Sequence, residues 1–340
     1  MRICIVGGGI YGCHIAATLK SLGVEVDLFE ARERLLEGAS GNNQFRLHQG
    51  FHYARSFSTR VQSRDGYHRF KERYSRFSRP VLRNLYGVVE NESYVDFRTY
   101  RGIMSGSGLD FADVSPSDFD LLGIEGMIST SEEVLLISNL RNYFTDKLSD
   151  EVHLGVKANV EDIANSREFD WVIDCTWGHA GLTNDYFFEP TLLLYYECLD
   201  PELFDWSITL VDGSFWSLYQ TEEASIFTLS SVTHTPLGRF DNSTLALKRI
   251  SEISSDELKS KRKQFEQQAL RMFPTLLERF SYRDVQLSVK TKPIGMADHR
   301  NCEVRRDGNI IRILSGKIDN IFYGAERVLA YIEQGSYDGR

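Results

Sequence analysis

The feature that most constrains this chain is a glycine-spaced turn that directly follows a short apolar run. Residues 3–6 predict a buried strand, and Gly7, Gly9 and Gly12 follow at the spacing Gly-x-Gly-x-x-Gly before a helical pattern. The first glycine permits a tight turn, the second lets backbone N–H groups approach a diphosphate, and the third lets helix and strand pack closely. The pattern predicts the βαβ unit that binds dinucleotides.

An acidic residue completes this unit at the end of the second predicted strand. Residues 24–29 form that strand, and Glu30 and Ala31 follow it. A carboxylate at this point accepts hydrogen bonds from both hydroxyls of an adenosine ribose and disfavours a 2′-phosphate. The motif alone does not separate FAD from NAD, and a purely structural βαβ turn is the alternative.

Composition indicates an ordinary two-domain globular protein. A chain of 340 residues exceeds the usual size of one domain, and its net charge of −9 argues against general affinity for nucleic acid. The five cysteines are scattered without a Cys-x-x-Cys pair, which predicts reduced thiols and no metal site. Since no apolar run could span a bilayer and the nucleotide fold starts at residue 3, we expect a cytoplasmic protein without a signal peptide.

Hydrophobic periodicity predicts alternating helices and strands along the chain. Helices are expected within residues 57–86, at 140–148 after Ser138 or Asn139 as N-cap, at 255–280 after a Ser254 cap, and at 323–332. Single strands are expected at 153–163, 171–174 and 311–314. An antiparallel sheet is expected from four runs, at 192–198, 208–211, 215–219 and 226–232.

These elements predict an α/β fold with a Rossmann-type, doubly wound nucleotide domain and a second domain built on an antiparallel sheet. The nucleotide domain is expected in three stretches, residues 1–85, 139–185 and 286–340. The second domain is expected to contain an insertion at 86–138 and the sheet at 186–285. No linker or repeat separates the two, so the domains are interleaved.

Several motifs together resemble the FAD-dependent oxidoreductases of the D-amino-acid oxidase superfamily. They are GGGIYG at 7–12, FEA around Glu30, the loop GASGNN with RLHQG at 38–50, and the strand DWVIDCTWG at 170–178. The spacing of Ser40, His48 and Gly50 looks more like the L-2-hydroxyglutarate and glycerol-3-phosphate dehydrogenases than like the amine oxidases. The resemblance covers about half of the chain.

The resemblance implies that FAD is the cofactor and suggests which residues contact it. Val160 would offer its backbone to the adenine, and the turn at Thr176 would lie against the flavin nucleotide. The chain departs from the family near its C-terminus, where Lys317 would replace a glycine-rich loop, or would be an ordinary solvated turn lysine. The expected FAD contacts are Gly7, Gly9, Gly12, Glu30, Ala31, Ser40, Asn43, Gln44, His48, Val160, Thr176, Gly178, Gly316, Lys317 and Ile318.

The loop after Glu30 also carries the candidate catalytic groups. His48 is the expected general base, because imidazole titrates near neutrality and hydride loss from carbon requires the adjoining hydroxyl or ammonium to lose a proton. His48 could instead only orient FAD or complete a loop, and His52 is a second candidate. Arg46 belongs to a basic stretch and is the expected clamp for an anionic substrate, with Tyr219 and Arg300 as further substrate contacts.

The sequence therefore predicts an enzyme that oxidises a CH–OH or CH–NH group of a small anionic substrate, with hydride transfer to flavin N5. Two alternatives remain open from the residues themselves. One is an NAD-dependent dehydrogenase, for which the loop at 38–50 would have no purpose. The other is a non-catalytic or redox-sensing dinucleotide-binding protein.

Overall fold

The computed structural model describes residues 1–180, 185–295 and 301–338. Its strands are β1 Arg2–Val6, β2 Glu25–Phe29, β3 Arg46–Leu47, β4 Ser78–Pro80, β5 Arg83–Val89, β6 Ala112–Val114, β7 Ile124–Thr130, β8 Glu133–Leu135, β9 Val152–His153, β10 Trp171–Asp174, β11 Tyr186–Cys198, β12 Trp206–Val211, β13 Trp216–Gln220, β14 Ile226–Ser231, β15 Phe280–Pro293, β16 Glu303–Asp307 and β17 Ile310–Leu314. Its α-helices are α1 Ile10–Ser21, α2 Phe57–Tyr74, α3 Phe97–Gly106, α4 Ile137–Lys147, α5 Val160–Ser166, α6 Ser243–Ser251, α7 Ser255–Leu270, α8 Leu276–Arg279 and α9 Ile321–Asp338.

The chain forms two compact units. The first comprises residues 1–41, 137–187 and 291–340, and the second comprises residues 42–136 and 188–290. Three of the four boundaries lie within five residues of the predicted ones at 138/139, 185/186 and 285/286. The first boundary differs, because residues 42–85 belong to the second unit: β3 and β4 pair with β8, and β5 pairs with β7 and β12.

The first unit is a doubly wound α/β domain. Its sheet has the order β16-β17-β10-β1-β2-β9, in which β17, β10, β1, β2 and β9 are parallel and β16 is an antiparallel edge. Cys4 and Val6 pack in one cluster with Val160 of α5, whereas Ile5 faces α1. Helices α4 and α9 pack against α1. Alternating residues of β1 therefore contact helices on opposite faces, as predicted for a Rossmann-type fold.

The second unit contains a mixed sheet in the order β15-β11-β14-β13-β12-β5-β7-β6, and a small sheet in the order β3-β8-β4. In the large sheet β5 and β12 are parallel, and the pairs β6–β7, β5–β7, β12–β13, β13–β14 and β11–β14 are antiparallel. One face of the large sheet packs on α7 and α8, and the aromatic rings of Trp206, Trp216 and Phe273 lie in that core. The predicted fold class is confirmed, with the parallel pair as an addition to the antiparallel sheet.

Several predicted elements were wrong in detail. The strand predicted at 153–163 is instead the short β9 followed by α5. Helix α5 begins at Val160 because the side chain of Asn159 accepts hydrogen bonds from the N–H groups of Glu161 and Asp162. The helical region predicted at 57–86 ends at Tyr74, and β4 and β5 follow it.

Other helices differ mainly at their ends. The helix predicted at 140–148 starts at Ile137, so the two proposed caps, Ser138 and Asn139, lie inside α4. The Ser254 cap is present, since its hydroxyl accepts a hydrogen bond from the N–H of Glu257, but α7 ends at Leu270 and α8 is separate. Within the described ranges, no helix combines the length and the apolar character needed to cross a membrane.

The turn between β1 and α1 explains two of the predicted glycines. Gly7 has a φ of +108°, a region that L side chains rarely adopt, and a Cβ there would lie 2.7 Å from the carbonyl oxygen of Cys175. A Cβ on Gly12 would overlap the carbonyl oxygen of Gly7. Helix α1 consequently packs against the preceding turn at a distance that only glycine allows.

Gly12→Ala tests this close approach. Because the added methyl group would push α1 away from the turn at Gly7, we expect the free energy of unfolding to fall by about 1–3 kcal/mol. The matched control is Gly102→Ala in α3, where an added Cβ meets nothing within 4 Å. This control should raise the free energy of unfolding by about 0.5–1 kcal/mol, since alanine is the better helix former. Equal stability of Gly12→Ala and wild type in urea denaturation would contradict the packing argument.

Candidate active site

The amino end of α1 forms the centre of the first unit's candidate site. Gly9 is the N-cap of α1 and has no side chain to cap the helix, and the N–H of Ile10 donates to the hydroxyl oxygen of Ser40 at 3.0 Å. A Cβ on Gly9 would lie 3.3 Å from that oxygen. The positive end of the helix dipole and the small residues around it suit a diphosphate.

Glu30 lies at the carboxyl end of β2, beside the same turn. Its Oε2 accepts a hydrogen bond from the N–H of Gly8 at 2.6 Å, and its Oε1 accepts one from the N–H of Arg32 at 2.9 Å. Each carboxylate oxygen has two lone pairs, so both can still accept a ribose hydroxyl. Ala31, the next residue, is exposed. The residues present therefore fit a dinucleotide with an unphosphorylated ribose.

The turn after β10 is held by Asp174. Its Oδ1 accepts hydrogen bonds from the N–H of Thr176 at 2.9 Å and from the Thr176 hydroxyl at 2.7 Å. Trp177 and Gly178 follow with φ values of +55° and +84°. Two successive residues in the left-handed region form a tight turn, and strain of this kind at Trp177 is often found at functional sites. Val160, by contrast, is fully buried at the start of α5 and not in a strand.

The C-terminal loop places a buried charge in the first unit. Lys317 is 5% exposed, and its Nζ lies 3.7 Å from Oδ2 of Asp319, which is also buried. The carbonyl of Lys317 accepts a hydrogen bond from the Tyr11 hydroxyl at 2.6 Å. Gly316 precedes this lysine, and Ile318 begins a short 3-10 turn. The alternative of a solvated turn lysine is therefore wrong.

Arg46 lies at the start of β3 in the second unit. Only 6% of the residue is exposed, and its guanidinium carbon lies 4.0 Å from the centroid of the Tyr219 ring. Its Nη1 donates to the hydroxyl oxygen of Tyr86 at 3.1 Å. Among the described residues, neither Nε nor Nη2 of Arg46 has a hydrogen-bond partner, and both atoms are buried. Buried donors without acceptors are rare and costly, so this guanidinium suits an anionic ligand.

Glu132 is a fully buried carboxylate between β7 and β8. Its Oε2 accepts a hydrogen bond from the Tyr86 hydroxyl at 2.6 Å, and its Oε1 accepts one from the N–H of Gln49 at 2.7 Å. Nδ1 of His48 lies 3.8 Å from Oε1, an ion-pair distance when the ring is protonated.

The charge of Glu132 is stabilised by its neighbours. Burial alone would raise the pKa of Glu132, but contact with His48, the charges of His48 and Arg46, and the Tyr86 hydrogen bond outweigh it and hold the pKa at about 2. Glu132 therefore stays ionised at neutral pH.

His48 is partly accessible, with 20% of its side chain exposed. Its ring centroid lies 6.2 Å from that of His52 and 5.9 Å from that of Tyr53. The second unit thus brings together three predicted residues, Arg46, His48 and Tyr219, with His52 beside them. This set, together with Glu132 and Tyr86, is called the Arg46–His48 cluster below.

The remaining predicted residues lie in different surroundings. Gln44 belongs to the second unit, where its Nε2 donates to the Thr228 hydroxyl oxygen at 3.3 Å and its Oε1 accepts from the Ser217 hydroxyl at 3.0 Å. The carbonyl of Asn43 accepts a hydrogen bond from Gln286 at 3.4 Å. Arg300 lies outside the described residues, and within those residues there is no group of three or more histidines, cysteines or acids that could hold a metal ion.

Glu132 and Tyr86 are the site residues that the sequence analysis missed. Glu132 follows Ser131 and precedes Glu133, so the pair of acids looks like a solvated turn. The available signal was the run of apolar, aromatic and β-branched residues in β5, which is typical of a strand and places Tyr86 inside a sheet. The burial of Glu132 depends on the tertiary structure.

A glycine turn at the start of a helix, with an acid at the end of the next parallel strand, is typical of a dinucleotide-binding domain. Residues 2–105 match the DAO family model, described as FAD dependent oxidoreductase. The chain is 46% identical over 339 residues to the FAD-dependent monooxygenase FPY4 of Fusarium mangiferae, covering 98% of this chain and 91% of that protein. The chain therefore belongs to the DAO family of FAD-dependent oxidoreductases.

Solved structures show the same fold. L-α-glycerophosphate oxidase from Mycoplasma pneumoniae, solved with FAD bound, matches with a TM-score of 0.72 at 11% identity, covering 96% of this chain and 93% of that one. Glycine oxidase from Geobacillus kaustophilus matches with a TM-score of 0.70 at 13% identity, covering 98% and 95%. Family membership, shown by the family model and the relative at 46% identity, makes the protein an FAD-dependent enzyme, so the predictions of enzyme and cofactor are confirmed. The two alternatives, an NAD-dependent dehydrogenase and a non-catalytic binding protein, are set aside.

Glu30→Gln tests the assignment of the ribose-binding acid. Loss of the negative charge weakens the hydrogen bonds that the side chain offers to ribose hydroxyls, so we expect the dissociation constant for FAD to rise about 10-fold or more. The measurement is a fluorescence titration of the FAD-free protein, with Glu33→Gln, an exposed acid nearby in the chain, as control. Equal affinities of the two variants would remove Glu30 from the FAD site.

Proposed function

We propose that this enzyme oxidises a CH–OH or CH–NH group of a small anionic substrate, with Arg46 binding the anion and His48 accepting the proton. The observation that carries the proposal is a buried guanidinium with two unpaired nitrogens, in one cluster with a histidine that is paired with a buried carboxylate. FAD, held by the first unit, supplies the acceptor for the hydride that leaves the substrate carbon.

Arg46 has the properties of an anion-binding residue. Its position over the Tyr219 ring and its hydrogen bond to Tyr86 hold the guanidinium in one orientation. The planar group can offer its remaining N–H donors to the two oxygens of a carboxylate. An anion entering here would also relieve the cost of the two buried donors.

His48 has the properties of a general base. The substrate hydroxyl or ammonium must lose a proton as the carbon loses a hydride, and imidazole accepts a proton near neutral pH. The ionised Glu132 stabilises the protonated ring that results, because opposite charges attract strongly away from water. His52 is the second candidate in the cluster, with its ring beside that of His48.

We further propose a hydroxy acid in preference to an amino acid. The support is the spacing of Ser40, His48 and Gly50, which is similar to that of the L-2-hydroxyglutarate and glycerol-3-phosphate dehydrogenases. The fold of L-α-glycerophosphate oxidase is compatible with this choice, but glycine oxidase has the same fold, so the fold does not decide between them. We also propose that Gly9, Ser40, Glu30 and Lys317 contact FAD.

A second candidate function is monooxygenation. The relative at 46% identity is named an FAD-dependent monooxygenase. A monooxygenase incorporates one oxygen atom of O₂ into its product and reduces the other to water, and an external monooxygenase takes the two electrons for this from a separate donor such as NADH or NADPH. An oxidase or dehydrogenase takes its electrons from the substrate itself.

Anaerobic mixing separates the two functions. The FAD-loaded protein is mixed without oxygen with a panel of 2-hydroxy acids, amino acids and sugar acids, and the flavin absorbance is recorded. The proposal expects at least one anionic compound to bleach the flavin without NADH or NADPH. If only NADH or NADPH bleaches the flavin, and a separate aerobic reaction under ¹⁸O₂ leaves label in the product, monooxygenation is established instead.

His48→Asn is expected to slow flavin reduction by the active compound about 100-fold or more, because asparagine cannot accept the proton. The measurement is stopped-flow absorbance on protein with matched FAD content. His68→Asn, on the exposed face of α2, is the control and should reduce its flavin at the wild-type rate. Unchanged reduction in His48→Asn, with FAD retained, would exclude His48 as the base.

Arg46→Met is expected to raise the substrate dissociation constant about 100-fold, since it removes a charged partner of a buried anion. Arg46→Lys should restore part of the affinity, because it keeps the charge without the planar fork. Arg73→Met, at an exposed position of α2, is the control for loss of a positive charge. Equal substrate affinity in Arg46→Met and Arg73→Met would remove Arg46 from the substrate site.

A further inference from the structure

We propose that Glu132 is the positioning residue of the Arg46–His48 cluster. One buried carboxylate orients the His48 ring, holds Arg46 through the Tyr86 hydroxyl, and favours proton uptake by His48. The inference rests on the proposed function for the roles of His48 and Arg46, and it adds the residue that makes these two groups act together.

The two oxygens of Glu132 have separate partners. Oε1 faces Nδ1 of His48 at 3.8 Å and accepts the backbone N–H of Gln49, the residue next to His48. Oε2 accepts the hydroxyl proton of Tyr86 at 2.6 Å. The loop that carries His48 is therefore hydrogen-bonded to the carboxylate through the Gln49 backbone, and the imidazole ring lies within ion-pair distance of the same oxygen.

Tyr86 connects the carboxylate to Arg46. Its single hydroxyl proton goes to Glu132, so its oxygen is left to accept the N–H of Arg46 at 3.1 Å. A phenol that donates to an anion and accepts from a cation is polarised in one direction, which strengthens both hydrogen bonds. Movement of Glu132 would consequently alter the placement of Arg46 as well as that of His48.

The charges in the cluster explain why His48 needs a neighbouring carboxylate in order to take up a proton. With Arg46 positive and Glu132 negative, the buried pair is neutral, and a proton on His48 gives a net charge of +1. An anion bound at Arg46 returns the sum to zero. Without Glu132, a proton on the partly exposed His48 ring would add a second positive charge to a cluster that already holds the buried Arg46, which is disfavoured. Glu132 therefore makes His48 basic enough to accept the substrate proton.

The groups around Glu132 and His48 come from several elements. Burial raises the pKa of four neighbouring tyrosines, so these side chains stay neutral through the working range of the site; they are Tyr67, Tyr86, Tyr100 and Tyr219. The positive charge of Arg46 and the contact with His48 both contribute to the lowered pKa of Glu132. Within the described ranges, the ionisable groups that interact with Glu132 or His48 include Arg46, His52, Tyr53, Tyr67, Tyr86, Tyr100 and Tyr219. The neighbouring Glu133 acts on Tyr67 and Tyr219 and is paired with Lys71.

Glu132 could also serve only as a structural partner for the buried Arg46. The two roles differ in what happens to His48. A structural partner stabilises the fold without changing the protonation of the histidine, whereas the positioning role requires that His48 lose basicity when the carboxylate is neutralised. Glu132→Gln suits this test, because the amide oxygen can still accept the Tyr86 hydrogen bond.

The experiment is an NMR titration of the FAD-loaded protein labelled with ¹⁵N-histidine, with the His48 signals assigned from the spectrum of His48→Asn. We expect the midpoint of the His48 titration to fall by about one pH unit or more in Glu132→Gln, because the variant loses an opposite charge 3.8 Å from Nδ1 of His48. Glu133→Gln is the matched control. It removes the adjacent buried carboxylate, which pairs with Lys71 at 2.7 Å, and should leave the midpoint nearly unchanged.

Two further variants keep the test decisive. Glu132→Asp retains the charge, so the His48 midpoint should stay closer to the wild-type value than in Glu132→Gln. Tyr86→Phe breaks the connection to Arg46, so it should weaken binding of oxalate, measured by calorimetry, about 10-fold while changing the His48 midpoint little. If Glu132→Gln does not fold, Glu132→Asp and Tyr86→Phe are compared with wild type in the same two measurements.

A folded Glu132→Gln with an unchanged His48 midpoint would overturn the inference. So would equal oxalate affinity in Tyr86→Phe and wild type. These results are distinct from failure of the proposed function, which would appear as unchanged flavin reduction in His48→Asn. The NMR titration requires neither substrate nor turnover, so it reports on Glu132 even if the substrate class is wrong.

Discussion

A carboxylate with no exposure to water must be compensated by its surroundings, and the second unit is organised around such a group at Glu132. Tyr86, Gln49 and His48 surround the two oxygens, and Arg46 is joined to them through Tyr86. Breaking a buried arrangement of this kind by removing one partner is costly. The orientation of the histidine and of the guanidinium therefore follows from one buried negative charge.

The first unit depends on a different constraint, which is steric. The carbonyl of Gly7 and the helix at Gly12 approach so closely that a side chain at either position would collide with backbone. This approach leaves the amino end of α1 beside Ser40 and Glu30, where an extended dinucleotide can be held by backbone and carboxylate groups. Membership of the FAD-dependent family agrees with this arrangement.

The sequence predicted those parts of the fold whose causes are local. The glycine spacing, the strand at 171–174 and the Ser254 cap are each determined by a few neighbouring residues, and all three are present. The strand predicted at 153–163 failed because the Asn159 cap, itself a local signal, was overlooked. The domain assignment of residues 42–85 failed because it depends on pairing with strands far along the chain.

The candidate site shows the same division between residues with a local signal and residues whose placement depends on the tertiary structure. Arg46 and His48 were recognisable because they lie two residues apart in a polar loop, and their chemistry is distinctive. Glu132 was not recognisable from the sequence, because its 0% exposure arises only when β5, β7 and the loop at Gln49 come together. A buried acid in a Glu-Glu pair has no signature in one sequence. Its function follows from its hydrogen bonds.

The most direct test of this account is a crystal structure of the FAD-loaded protein with oxalate, a small dianion that has no C–H bond to lose. The account predicts an oxalate oxygen within hydrogen-bond distance of Nε or Nη2 of Arg46, with Glu132 still bonded to Tyr86. Oxalate bound elsewhere, with both Arg46 nitrogens paired to groups of the protein, would contradict it.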